Sequence, residues 1–304
     1  MNEWIEPGAT SAAIAATLGS AGIALLCWRR RWLSETTLIA PWIWCVVSIG
    51  AVAFGEVLIG FTSAGETLPW HEPLRFVAAV TIFCPTMALL GAKRPQDKAW
   101  HLIVVSLWAV LVLPAAEQML LQPNQPMEIQ DARSWFLVAL IVLSLLNSVL
   151  TRFWPTAILY TTTEIMLLAE HLPFSTASLG TAGVLTGLML SVLAILLIAI
   201  AKSRRQNQLR YVEDQLWLDF RDYFCVLWSV RVAERINAAA KMYEWNIALS
   251  WNGFHRTDTS DGQGEIPSEV ASTLRQTMKN LMRRFVSDEW MERRLRESDD
   301  TRQA

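Results

Sequence analysis

The stretch ASLGTAGVLTGLMLSVLAILLIAIA, residues 177–201, contains no charged residue and is followed closely by Lys202, Arg204 and Arg205. A helix needs about 20 mostly apolar residues to cross the hydrocarbon core of a bilayer. The stretch therefore predicts a membrane-spanning helix that ends at a basic boundary.

Six further apolar stretches precede this one. They cover residues 9–28, 38–61, 73–92, 99–121, 134–151 and 155–171. The predicted fold class is therefore all-α, with a polytopic bundle of about seven spans over residues 1–201. The fifth and sixth stretches are short and close together, which favours a tight helical hairpin; one re-entrant element is the alternative.

Basic residues accumulate in alternate connections between these stretches. One set of connections, with the segment after the last span, holds ten: Arg29, Arg30, Arg31, Lys93, Arg94, Lys98, Arg152, Lys202, Arg204 and Arg205. The other set holds only Arg75 and Arg133. Because Lys and Arg concentrate in cytoplasmic loops, the asymmetry predicts a multi-pass plasma-membrane protein with its N-terminus outside and its C-terminus in the cytoplasm.

Composition indicates which partners the chain is expected to have. The chain is 53% hydrophobic with a formal net charge of −2, so the lipid bilayer is the expected environment and no affinity for nucleic acid is implied. The four cysteines form no CxxC pair or disulfide framework. Residues 1–7 contain Glu3 and Glu6 and no basic residue, which is unlike a secretory signal peptide.

Residues 202–304 are predicted to form a small, mostly helical cytoplasmic domain. Apolar residues advance by three or four positions through Leu209, Val212, Leu216, Phe220, Tyr223, Leu227 and Val230. This spacing is typical of an amphipathic helix and is close to the heptad of a coiled coil. No glycine or proline lies between Gly187 and Gly253, so the last span is able to continue into this helix. A protein partner is expected to bind through the helix over 205–250.

The remainder of this domain shows weaker patterns. Alternating apolar residues over 245–251 favour a short strand, and residues 253–266 are polar and predict a loop. Pro267 suits the first turn of a final helix. The charged residues 288–304 are expected to fray.

Ionisable residues within the spans are the strongest candidates for a site, because burying them in a membrane is costly. Glu56, Glu117, Glu164, His171 and Arg75 all fall in the predicted outer half and are expected to form one polar pocket. Glu164 lies near the middle of the membrane, and His171, seven residues later, shares its helix face. These two residues are the weak candidates for metal ligands.

Three interpretations of this pocket remain open. Its carboxylates and imidazole suit a transition metal, or the same groups relay protons or bind a cation in a transporter. The third interpretation is structural, with Arg75 paired to a carboxylate and Glu164 protonated against threonine hydroxyls. In each case Glu164 should face the bundle interior, within reach of Glu56, Glu117 or Arg75. The sequence identifies no cofactor and no catalytic residue.

Two functions follow from these features. The first is non-enzymatic: a membrane sensor, scaffold or assembly subunit whose cytoplasmic helices bind a partner. The second is a transporter or membrane enzyme that uses the outer Glu/His cluster to bind a cation, a proton or a metal. Retinal chemistry is excluded, because the last span contains no lysine to bind the chromophore.

Overall fold

The computed structural model describes residues 7–63, 68–123, 125, 127, 129–174, 179–200, 211–258 and 266–303, and these are mostly helical. The first two thirds of the chain form a helix bundle. Its helices are α1 (Pro7–Arg29), α2 (Ile39–Thr62), α3 (His71–Val80), α4 (Phe83–Leu90), α5 (Gln96–Leu121), α6 (Asp131–Ser148), α7 (Trp154–Leu168) and α8 (Gly180–Ile200).

Six segments of this bundle are long and apolar enough to cross a membrane. Within the described residues they are Gly8–Arg29, Ile39–Thr62, His71–Leu90, Ala99–Leu121, Asp131–Ser148 and Gly180–Ile198. Each overlaps one of the predicted apolar stretches. Helix length and composition therefore support a multi-pass membrane architecture.

The sixth predicted stretch forms α7, whose 15 residues make it shorter than the other six segments. It nevertheless runs antiparallel to α8. Thr156 Oγ1 lies 3.5 Å from Ala194 O near one end of α7, and Gly180 N donates to Glu170 Oε1 at 2.8 Å just beyond the other. α6 and α7 are thus two helices joined by residues 149–153, as in the hairpin interpretation.

The third span is broken between α3 and α4. Pro85 has no N–H, and its ring displaces the carbonyl of Thr81 from the helical ladder. Side chains satisfy the carbonyl oxygens at the break: Ser48 Oγ donates to Thr81 O at 2.6 Å, and Tyr160 OH donates to Ile82 O. Inside a bundle such donors take the place of water. The break therefore fastens the third span to α2 and α7.

The described residues of the C-terminal domain, 211–258 and 266–303, form three helices and two strands. They are α9 (Val212–Met242), β1 (Ile247–Ser250), β2 (Gly253–Arg256), α10 (Ser268–Met282) and α11 (Asp288–Gln303). The two strands form an antiparallel hairpin. Aromatic side chains fill the core: Trp217, Phe220, Phe224, Trp228, Phe285 and Trp290. Leu38 and Ala92, from two connections of the bundle, belong to the same core.

This domain packs on one end of the bundle, which we call the docked end. Backbone hydrogen bonds join Thr37 N to Phe285 O at 2.9 Å and Arg94 N to Arg284 O at 2.8 Å. The docked end comprises the connections at residues 30–38, 91–95 and 149–153, which hold predicted cytoplasmic basic residues. The opposite end, where Ser63, Leu121 and His171 lie, is called the distal end.

The last span does not continue unbroken into α9. Residues 201–210, including the apolar position Leu209, lie outside the described residues, but Tyr211 is extended with φ −122° and ψ 155°. Asp214 then caps the new helix by accepting a hydrogen bond from Tyr211 N at 3.1 Å. α9 is therefore a helix separate from the last span, and Asp214 caps its first turn.

The predicted apolar face of α9 is buried before Cys225, at Leu216 and Phe220, and fails after it; the side chain of Val212 lies outside the described residues. Cys225 kinks the helix with φ 60° and ψ −169°. Phe220 before the kink is buried, whereas Leu227 and Val230 after it are 36% and 41% exposed. Trp228 takes their place in the core. The kink rotates the residues after Cys225 relative to those before it, so a regular repeat does not predict which of them face the core.

Two further predictions for this domain are corrected. The polar loop expected over 253–266 begins with β2, because the predicted strand over 245–251 needs a pairing partner and finds it there. The charged tail forms α11 rather than fraying over its described residues. Trp290 and Met291 are buried against the core and anchor it.

Candidate functional site

Glu56 and Arg75 form a clamp near the distal end of the bundle. Arg75 Nε and Nη2 each lie 3.0 Å from a Glu56 carboxyl oxygen, and Nη2 also donates to Thr181 Oγ1 at 2.6 Å. The adjacent cavity is about 10 Å³, which holds at most one water. The contact joins α2, α3 and α8. It fits the structural interpretation, in which Arg75 pairs with a carboxylate, better than it fits a ligand pocket.

Glu117 belongs to a different contact. It pairs with Arg133 at 3.1 Å, and both side chains are more than one third exposed. Exposed pairs of this kind contribute about 0–1 kcal/mol. The pair links α5 to α6 at the distal end.

His171 packs edge-on against Phe76, with ring centroids 4.7 Å apart. Glu170 next to it accepts from Gly180 N. Within the part of the chain that the structure describes, no three His, Cys, Asp or Glu side chains form a group able to hold a metal. The five predicted pocket residues are therefore divided among separate contacts rather than gathered in one outer pocket.

Glu164 differs from the other four residues, because its carboxyl group is buried but makes no hydrogen bond to a described residue. Its side chain is fully buried in the bundle interior, as predicted, but neither carboxyl oxygen has a hydrogen-bond partner among the described residues. Ser144 of α6 is the polar side chain beside it. Its neighbour is thus none of Glu56, Glu117 or Arg75. A buried polar group left unsatisfied is uncommon and calls for an explanation.

A mostly apolar cavity lies at the docked end of the bundle. Its volume is about 330 Å³, within the range of roughly 300–1,000 Å³ that small-molecule pockets occupy. Most of its wall is apolar: Leu26, Leu33, Leu38, Pro41, Trp42, Leu89, Phe153, Ala157, Ile195 and Ile198. Polar groups lie at two places, one deep in the bundle and one against α9.

The deep polar group consists of Thr86, Ser144, Tyr160 and Cys45. Thr86 Oγ1 and Ser144 Oγ are 3.3 Å apart. Glu164 follows Tyr160 by four residues on α7, so the two side chains lie one helical turn apart on the same face. Ser144 therefore connects the cavity to the carboxyl group behind it.

The second polar group is a network of charged residues that α9 forms with Arg152 of the bundle and Arg294 of α11. Arg152, from the bundle, lies 3.3 Å from Asp219 and 3.4 Å from Asp222. Arg221 also binds Asp222 at 2.8 Å, and Arg294 binds Asp219 at 3.0 Å. Such a network fixes the position of the domain, because separating either partner leaves a buried charge unpaired.

Two α9 residues beside this network also line the cavity. Burial raises the pKa of Tyr223, an effect that the Arg294 guanidinium opposes. Burial raises the pKa of Cys225 to about 12, so this thiol is neutral at physiological pH. The backbone of Cys225 occupies a region that is costly for any residue except glycine, of the order of 1–3 kcal/mol.

The bundle holds this strained kink in place. Asn147 Oδ1 of α6 accepts a hydrogen bond from Leu227 N at 3.1 Å, and Ser148 Oγ lies 3.9 Å from Cys225 Sγ. The polar residues Ser144, Asn147 and Ser148 recur at three- and four-residue spacing along α6. A search restricted to ionisable residues misses this stripe, although its periodicity is visible in the sequence.

No protein-family model, curated protein or solved structure matches this chain. The class of the protein therefore rests on its fold and its cavity. These define a helix bundle with six segments long and apolar enough to cross a membrane, a docked C-terminal domain, and a mostly apolar cavity whose wall both parts share.

Proposed function

We propose that this chain is a membrane sensor or assembly subunit, whose C-terminal domain reports the state of the bundle to a protein partner. The observation that carries the proposal is the shared cavity wall. Asp222, Tyr223 and Cys225 of α9 line the same cavity as Thr86 and Ser144 of the spans. Any change in the cavity therefore acts on both parts.

The strained kink supports this role. A costly backbone conformation persists only when its surroundings enforce it, and such conformations cluster at ligand sites and switch regions. Cys225 is held from the bundle through Asn147 and Ser148. Movement of α6 would release this restraint and let α9 rearrange.

The partner surface that we propose is the end of α9. Met242 and Tyr243 are 75% and 60% exposed, more than the other large apolar side chains of this domain in the described residues. They lie away from the bundle contacts made by Trp228 and Arg152. This position leaves the surface accessible while the domain is docked.

Coupling can be measured through Ala157, a buried cavity residue of α7. We expect Ala157→Phe to fill part of the cavity and to increase amide hydrogen exchange in α9 around residues 219–228. The matched control is Ala109→Phe on the exposed face of α5, which should leave that exchange unchanged. Equal exchange in the two variants and the parent, in lipid nanodiscs, would reject the coupling.

The orientation that we propose is N-terminus outside and C-terminus in the cytoplasm of the plasma membrane. It is supported by the location of Arg29, Lys93 and Arg152 at the docked end, with Arg75 and Arg133 at the distal end.

A reporter that is active only in the cytoplasm should therefore function when fused after Ala304. The same reporter inserted in the connection at 122–130 should be inactive, because that connection lies at the distal end. Activity at the inserted site, or none at the C-terminus, would overturn the orientation. Immunoblotting both fusions controls for expression.

A second candidate, a transporter for a cation or a proton, is favoured by Glu164 alone. Its buried carboxyl lies behind the polar end of the cavity, which gives a charge-carrying group access through Ser144. Proteoliposomes that show a proton or cation flux abolished by Glu164→Gln would favour this candidate. Absence of any flux in the parent would leave the sensor proposal as the better supported one.

A further inference from the structure

The cavity at the docked end lies beside a second, basic hollow. This hollow has a volume of about 420 Å³ and is lined by Cys27, Trp28, Arg29 and Arg31. Arg29 lines both spaces. The two are therefore neighbours, one mostly apolar and one cationic, that share Arg29 in their walls.

Both hollows lie at the end of an apolar span, where the boundary between hydrocarbon and headgroups is expected. Arg29 is the last residue of the first apolar span, and Trp28 is 69% exposed beside it. Trp42 lies near the start of the second span, where its Nε1 donates to Leu26 O at 3.0 Å. Tryptophan is enriched at this level of a membrane because its ring is apolar and its N–H is polar. Lipid is thus the ligand with direct access.

Charge distinguishes among lipids. Arg29 and Arg31 provide two guanidinium groups, which bind phosphate oxygens with good geometry. No carboxylate is found among the described residues that line the basic hollow. The one acidic residue of the described wall of the apolar cavity, Asp222, is bound by Arg221 and Arg152. The combined site is therefore complementary to an anion with a hydrocarbon tail.

We propose that the two hollows form one binding site for a single anionic phospholipid. Its phosphate binds between Arg29 and Arg31. One acyl chain enters the apolar cavity past Leu26 and Ile198 and extends toward Ala157. Since the cavity wall includes Cys225, the acyl chain contacts the kink of α9 and stabilises the docked domain.

This inference does not depend on the sensor function. Lipid binding by the purified chain is measured directly, whereas the sensor proposal concerns hydrogen exchange in α9 after a change in the cavity. A lipid site without coupling, or coupling without a lipid preference, separates the two.

The test uses the full chain, stripped of lipid in detergent and titrated with phosphatidylglycerol or phosphatidylcholine of identical acyl chains. Binding is measured by native mass spectrometry. We expect clear preference for phosphatidylglycerol, and the double variant Arg29→Gln/Arg31→Gln should lower its affinity by about thirtyfold, from two lost charges near the headgroup. Arg133→Gln at the distal end is the control and should change the affinity less than twofold, as a rough estimate for a charge beyond the screening distance.

A second variant tests the apolar part without changing charge. Ile195→Trp should fill the cavity and weaken binding of both lipids, while the reporter fusion confirms that the chain still inserts. Equal affinity of the parent for the two lipids would overturn the proposal. An unchanged affinity in Ile195→Trp would also overturn it, since the acyl chain would then lie outside the apolar cavity. Full competition by inorganic phosphate alone would overturn it as well, since that result assigns the basic hollow to a free anion.

Discussion

Replacement of Phe220 by Asp should unfold the C-terminal domain or detach it from the bundle. Phe220 is fully buried. Its ring stacks on Phe224, with ring centroids 4.8 Å apart, and packs edge-on against Phe285, with ring centroids 5.3 Å apart. Loss of a buried phenyl ring costs about 3–5 kcal/mol, and an unpaired buried carboxylate adds to that cost. Because many domains are stable by only about 5–15 kcal/mol, the expected loss is a large fraction of the total.

The informative control is Val230→Asp on the same helix. A regular three-four repeat puts Val230 on the same face as Phe220, and it then predicts equal damage. The structure leaves Val230 41% exposed beyond the kink, and surface changes are usually within about 0.5 kcal/mol. Denaturant unfolding of the full chain in detergent, followed by hydrogen exchange in α10, compares the two. Equal destabilisation would show that the kink at Cys225 is absent in solution.

Glu164→Leu is expected to stabilise the protein, although it alters the centre of the bundle. The carboxyl group is buried, and neither oxygen has a hydrogen-bond partner in the part of the chain that the structure describes. Such a group costs about 1–3 kcal/mol. Leucine has a similar size and removes that cost. The expected result is a rise of about 1–3 kcal/mol in the free energy of unfolding.

Glu56→Leu provides the matched comparison, with the same change at another buried glutamate. Here the carboxylate has two hydrogen bonds from Arg75, so its removal leaves a cation partly buried and unpaired. Breaking a buried pair costs about 3–5 kcal/mol, and Arg75, which is one quarter exposed, places the loss near the lower value. Thermal unfolding in detergent should move in opposite directions for the two variants. Destabilisation by both would mean that Glu164 has a partner, such as a bound water or ligand.

The contrast between Glu56 and Glu164 also shows the limit of site prediction from this sequence. Both were predicted as buried ionisable residues, and both are buried. The partner of Glu56 lies on another span, 19 residues away, and Glu164 lies beside Ser144, 20 residues away. Hydropathy locates each residue along its own helix, but the rotation of one helix against another depends on packing. The expected common pocket needed those rotations and was therefore the least determined feature.

A similar division applies to α9. Burial of Phe220 and the strand after Trp245 follow from the periodicity of apolar residues, and both features are present. The kink at Cys225 has no local signal, because its backbone angles are unfavourable for a cysteine. Contacts with Asn147 and Ser148, from a helix far away in the chain, make it possible.

The sequence by itself determined the apolar spans, their order and the segregation of basic residues, because the cost of burying charge and backbone polar groups in lipid acts on each segment separately. Only the tertiary structure decided that α7 is a short helix packed along α8 and that the C-terminal domain docks on the bundle. It alone also decided that the mostly apolar cavity lies at the docked end rather than among the distal carboxylates. These features arise from contacts between segments distant in the chain, where shape and hydrogen-bond geometry select one arrangement among many with the same hydropathy.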